Sequence, residues 1–146
     1  MSVKFLKTIV MSSLLVLGAT ASADEVWDTN AGQFVYQDEV GPVAVWTYGS
    51  KEDPGVIYIN GLAQVYENRG SYDGYWAKFN AQTKCRTARL GYDGKMTYYW
   101  GRFQLHFVDK EFPSRWVANW SYCNAEPQPT KIMGKPVVAE AEGANK

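Results

Sequence analysis

The chain has 146 residues, 15 Lys+Arg against 15 Asp+Glu, and an aromatic content of 15%. Its charges are scattered in both signs, with neither the basic stripe of a nucleic-acid binder nor a basic amphipathic helix, so nucleic acid and a stable membrane anchor are excluded as expected partners. The length holds one core and leaves no room for a second domain.

Residues 1–23 place Lys4 and Lys7 before the short apolar run 9–17 and end on Ala21-Ser22-Ala23. This is the pattern of a secretory signal peptide with an A-x-A cleavage site. A membrane-spanning helix needs about 20 apolar residues, more than this run offers. The expected product is a periplasmic or secreted protein beginning at Asp24. Removing the signal takes two lysines and leaves 13 Lys+Arg against 15 Asp+Glu, a formal charge of −2.

From Asp24 onward the patterning is that of strands and turns. Residues 33–37 and 43–48 read as two strands separated by Gly41-Pro42. Asn60-Gly61 lies between the β-prone runs 56–59 and 62–66, the signature of a hairpin with a type I′ turn. Residues 71–79 form another strand with Gly74 inside it, a residue that marks a bulge or bend. Residues 85–92 and 95–108 then flank the tight turn Asp93-Gly94. In the latter, Gly101, Phe103, Leu105 and Phe107 alternate with Arg102, Gln104 and His106, the period of two of a strand with one buried face. Trp116, Ala118, Trp120 and Tyr122 repeat that period after the charged turn 109–114.

About eight strands with short connections and no helical periodicity predict an all-β domain. The expected fold is a small antiparallel up-and-down β-barrel over residues 24–125, with a β-sandwich as the alternative. Closure into a barrel removes the exposed edges that invite aggregation in so aromatic a chain. Residues 126–146, with three prolines, no aromatic residue and no period, read as a mostly disordered tail; a strand at Val137-Val138 is the lesser alternative.

Cys85 and Cys123 are the two cysteines, and an exported chain makes a disulfide their default state. In a plain meander, however, the strand 95–108 would hold them about 10 Å apart, beyond the ~7 Å between Cα atoms that a disulfide spans. Either the loop before Cys85 crosses over, or the strand order differs, or the thiols stay free; the compartment favours the bond.

Little in the chain points to catalysis. His106 is the sole histidine and falls on the polar face of its strand, and Cys and His together are too few for a zinc site. Asp73 and Asp93 each precede a glycine, which turn chemistry explains. Asp109 with Glu111, and Glu67 with Asp73, are the carboxylate pairs open to glycoside hydrolysis, but acids of this kind commonly fill exposed turns. The expectation is a non-enzyme without cofactor or metal.

Aromatic side chains remain, and Tyr75 with Trp76, like Tyr99 with Trp100, are chain neighbours that cannot both point inward. Some therefore lie at a surface or a mouth, where flat rings hold sugars or apolar molecules. The candidate ligand-binding residues are Tyr72, Tyr75, Trp76, Tyr99, Trp100, Arg102, Trp116 and Trp120. They point to an exported binding protein for a saccharide or small apolar ligand. An exported protein partner, as for a periplasmic enzyme inhibitor, is the second reading, and a small glycoside hydrolase the third. Coplanar exposed rings would favour sugar, a lined interior cavity a small ligand, and a protruding loop 108–114 a protein.

Overall fold

The computed structural model describes residues 25–137. The expected signal peptide lies outside that range, as does Val138 of the possible strand at Val137-Val138, while Val137 falls just past the last strand. Among the described residues there are ten strands: β1 (Val26–Thr29), β2 (Gly32–Val40), β3 (Val43–Gly49), β4 (Pro54–Asn60), β5 (Ser71–Lys78), β6 (Arg89–Leu90), β7 (Met96–Thr97), β8 (Tyr99–Phe107), β9 (Trp116–Trp120) and β10 (Ile132–Pro136). Eight of them close an antiparallel up-and-down barrel in the order β1-β2-β3-β4-β5-β8-β9-β10, with β10 returning to β1. The two short strands β6 and β7 pair with each other outside it.

The period of two decides what fills the barrel. Phe103, Leu105 and Phe107 of β8 point in and are buried, while Arg102 and His106 between them are exposed. Trp27, Trp46 and Trp116 meet at the centre, with ring centroids 4.4 Å apart for Trp27 and Trp46 and 5.3 Å for Trp46 and Trp116. Rings of this size leave little room around the axis, and Gly134 on β10 supplies it, because a Cβ there would run into the Trp116 indole. The middle of the barrel is thus filled with side chains, as a barrel of eight strands requires.

One end is plugged. Residues 61–70 do not return as a strand: β4 pairs with β5, from Gly55 opposite Lys78 to Ile59 opposite Gly74. Gly61 does take a positive φ of 85°, but Asn60 does not, so the type I′ hairpin expected there is absent. Instead the N–H groups of Gly61 and Ala63 both bond to the Pro42 carbonyl and the chain crosses the barrel end. The apolar run 62–66 looks like a strand because Leu62 is buried in the plug. The type I′ geometry appears at Asp93-Gly94, with φ of 63° and 73°, where β6 turns into β7.

Arg69 drops from the plug into the barrel end and meets Glu25 in a bidentate ion pair, at 2.9 and 3.0 Å. Both residues are buried, at 1% and 5% exposure. The guanidinium also donates to the Val65 carbonyl and the Ser114 hydroxyl, and the Trp27 indole donates to the Ser114 carbonyl. The Phe107 ring centre lies 4.8 Å from the guanidinium carbon.

Three further expectations need correction. The strand expected over 85–92 is reduced to Arg89–Leu90, because this segment leaves the barrel and packs on its outer wall. The long strand 95–108 breaks at Tyr98, where β7, paired with β6, gives way to β8, paired with β5 and β9. The stretch 126–146, read as mostly disordered, contains β10, without which the barrel would stay open between β9 and β1. The barrel domain therefore runs past residue 125, to Pro136.

The excursion also resolves the cysteine problem. Cys85 and Cys123 are disulfide-bonded with Cα atoms 5.6 Å apart. Neither lies within a strand of the barrel. Cys85 arrives in the loop that crosses the outer wall and donates its N–H to the Tyr98 carbonyl; Cys123, beyond β9, donates to the Trp100 carbonyl. The bridge thus arches over the first residues of β8 rather than lying on either side of it. A buried disulfide of this kind implies an oxidising environment.

Candidate ligand-binding site

The end opposite the plug is open. Residues at the start of β2, the end of β3, the end of β5 and the end of β9 surround a cup of about 340 Å³. Its floor and walls are aromatic: Phe34, Tyr48, Trp76, Phe103, Trp120 and Tyr122. Each strand contributes an inward residue one or two steps beyond the filled centre, so the same alternation that builds the core builds the cup.

The rings form two groups. Phe34 and Tyr48 stack, with centroids 4.9 Å apart. Trp76, Trp120 and Tyr122 meet edge to face, at 5.2 to 6.3 Å and interplanar angles of 73° to 84°. Each indole is pinned through its N–H, that of Trp76 by the Ser121 carbonyl and that of Trp120 by the Thr130 carbonyl. Both indoles are therefore fixed in orientation by hydrogen bonds to backbone carbonyls.

The polar groups sit at the rim. Lys78 pairs with Asp53 at 2.7 Å and lies 5.6 Å from the Tyr48 ring centre. Burial, and then the negative charge of Asp53, push the Tyr48 phenol up from its ordinary range. Asn80 and Gln82 add two amides, the latter accepting from the Tyr122 hydroxyl. The one lining carboxylate is already paired, and the lining contains no Ser, Cys or His. The cup can thus enclose an apolar body and offer polar contact at its edge.

Of the eight candidate residues, the structure brings two to the cup, Trp76 and Trp120. Trp116 is 1% exposed at the barrel centre, and Tyr72 packs against Phe107 near the plugged end. Tyr75 and Trp100 point outward and hold the excursion: Tyr75 donates to the Leu90 carbonyl and Trp100 to the Thr87 carbonyl. Burial pushes the Tyr75 hydroxyl up to about 12. Tyr99 is half-buried where β8 begins, and Arg102 is exposed on the outer face of β8. These six do not share the cup.

His106 is exposed on the outer wall, its Nδ1 2.7 Å from the Ser71 hydroxyl. Asp109 accepts from Nε, Nη2 and the backbone N–H of Arg115 in the β8–β9 turn. Among the described residues, no cluster of three His, Cys, Asp or Glu is placed to hold a metal ion.

Sequence reasoning missed Phe34, Tyr48, Phe103 and Tyr122. The first three carry the same inward signal as core residues, and only their height along the barrel separates mouth from centre. No protein family, curated protein or solved structure matches this chain.

Proposed function

We propose that this chain is a non-catalytic binding protein of the periplasm or extracellular space that takes a small apolar ligand into the aromatic cup. The observation that carries the reading is the cup itself: about 340 Å³ of space bounded by six aromatic rings, with polar groups confined to the rim. Ligand pockets commonly combine an apolar lining with a few orienting polar groups. The signal-peptide pattern of residues 1–23 and the disulfide support export.

Ring geometry favours a compact apolar molecule over a saccharide. Sugar platforms present flat rings to solvent, whereas Trp76, Trp120 and Tyr122 meet edge to face around an interior space. The turn 108–114, the place for a protein-binding finger, is anchored at its base. It is tied to the plug by bonds from Arg69 N–H to the Lys110 carbonyl and from Phe112 N–H to the Tyr66 carbonyl.

Tryptophan fluorescence titration against a panel of small apolar ring compounds and, in parallel, a panel of mono- and oligosaccharides tests the reading. A saturable response to members of the first panel is expected, and truncation of an anchoring ring by Trp120→Ala should weaken it by 1–3 kcal/mol, about 5- to 150-fold. His106→Ala should leave it unchanged. Saturable binding of saccharides alone, or binding insensitive to Trp120→Ala, would overturn the assignment.

A further inference from the structure

The near-neutral net charge hides a separation. Within residues 79–98, the excursion between β5 and β8, Lys84, Arg86, Arg89 and Lys95 face the single acid Asp93, a formal +3. The rest of residues 25–137 holds eight Lys+Arg and eleven Asp+Glu, a formal −3. Positive charge is thus gathered on the excursion, Lys84 and Arg86 in the loop ahead of the β6–β7 hairpin and Arg89 and Lys95 within it, while the rest of residues 25–137 is acidic.

The hairpin within it also leaves an apolar side exposed. Arg89 and Thr97 are register partners on the side toward the barrel wall, Thr97 buried and Arg89 exposed. The Arg89 guanidinium lies 4.7 Å from the Tyr75 ring centre and 4.5 Å from that of Trp100, and the Thr97 hydroxyl donates to the Lys78 carbonyl. The other register pair, Leu90 and Met96, faces solvent at 42% and 62% exposure, and Tyr98 follows at 45%. Arg89 stays exposed while it lies over the Tyr75 and Trp100 rings, so the ribbon holds a leucine, a methionine and a cation in water together. Here the Cys85–Cys123 bridge and the Tyr58 and Tyr75 hydroxyls, bonded to the Gly91 and Leu90 carbonyls, hold the apolar side outward.

We propose that the β6–β7 hairpin docks the protein reversibly on an anionic lipid surface. Leu90 and Met96 enter the headgroup layer, and Lys84, Arg86 and Lys95 pair with its negative charge. An anionic surface attracts the excursion 79–98 that carries the hairpin and repels the acidic remainder, which orients the molecule. Cations beside such a surface each strengthen binding, and apolar side chains flanked by them favour the interface. An acidic protein is the weaker fit, because three part-exposed side chains fall well short of the ~800 Å² per partner that a stable protein interface buries. The proposal rests on the outer wall of the barrel and is independent of what the cup binds.

Vesicle co-sedimentation of the oxidised protein tests it. Partition onto phosphatidylglycerol-containing vesicles should exceed that onto pure phosphatidylcholine by at least about tenfold and fall with added salt. Lys84→Glu with Arg86→Glu and Lys95→Glu should abolish the preference, and Leu90→Ser with Met96→Ser should lower partition severalfold. The charge-matched control Lys51→Glu, Lys131→Glu and Lys135→Glu should retain most of it. Equal partition onto both lipids, or equal losses in the control, would overturn the proposal. So would absence of vesicle binding together with a saturable, hairpin-dependent complex with an acidic protein.

Discussion

Arg69→Met tests whether the plugged end is held by its buried ion pair. The substitution keeps an unbranched apolar stem but removes four donated hydrogen bonds: two to Glu25, one to the Val65 carbonyl and one to the Ser114 hydroxyl. Glu25, 5% exposed, then keeps only a long contact with the Ser114 N–H at 3.4 Å. Orphaning one member of a buried pair costs about 3–5 kcal/mol. Against a typical total stability of about 5–15 kcal/mol, that is a large share. At about 4 °C per kcal/mol for a domain of this size, the midpoint should fall by roughly 12–20 °C. Urea denaturation followed by tryptophan fluorescence measures the loss. The double variant Glu25→Leu with Arg69→Met removes both charges together and should recover most of it, since well-packed apolar replacements of buried pairs are often neutral. A single-variant loss below about 1 kcal/mol would refute the account, showing the carboxylate wet and screened. A double variant no better than the single one would show that Arg69 acts through its packing on Phe107 and Tyr66 instead.

Other perturbations separate the remaining contributions. Trp27→Phe should cost about 1 kcal/mol more than Trp116→Phe, because the Trp27 indole N–H bonds to the Ser114 carbonyl while that of Trp116 has no acceptor among the described residues; equal losses in chemical denaturation would contradict this. Reducing the disulfide should lower stability by about 4 kcal/mol in the chain-entropy model, for a loop with a sequence separation of 38, and loosen the hairpin first. Hydrogen exchange reads that order, and uniform loosening of the barrel would contradict it. Hydrogen bonds from Arg115 hold the Asp109 carboxyl down to about 2, so this pair's contribution is complete above its ordinary value of 3.8 and is lost as pH falls from there toward 2. A carboxyl NMR titration midpoint near 3.8 would show the pair absent in solution.

The barrel was legible where a strand has one wet face and one dry face. Phe103, Leu105 and Phe107 alternate with exposed Arg102 and His106, and the period alone places them. It failed where burial has another cause. The run 62–66 is apolar because it caps the barrel, and Asn60-Gly61 ahead of it imitates a hairpin turn. It failed again at β10, whose inward Gly134 has no side chain to signal burial and is small because the Trp116 indole already fills the space. The site was half legible for a related reason. Trp76 and Trp120 drew notice as surplus aromatics, whereas Phe34, Tyr48 and Phe103 read as core until closure of the barrel set their height along its axis. Tyr75 and Trp100, equally conspicuous, belong to the outer wall because an excursion of the chain came to cover them.

The six tryptophans make the central claim directly measurable, because each indole N–H gives its own resonance in a proton–nitrogen NMR spectrum. Titration with a small apolar ring compound selected by fluorescence should shift the signals of Trp76 and Trp120, which line the cup. Those of Trp27, Trp46 and Trp116, buried at the centre, and of Trp100, on the outer wall, should stay in place. Shifts confined to Trp100, or a saturable ligand that moves neither Trp76 nor Trp120, would contradict binding in the cup.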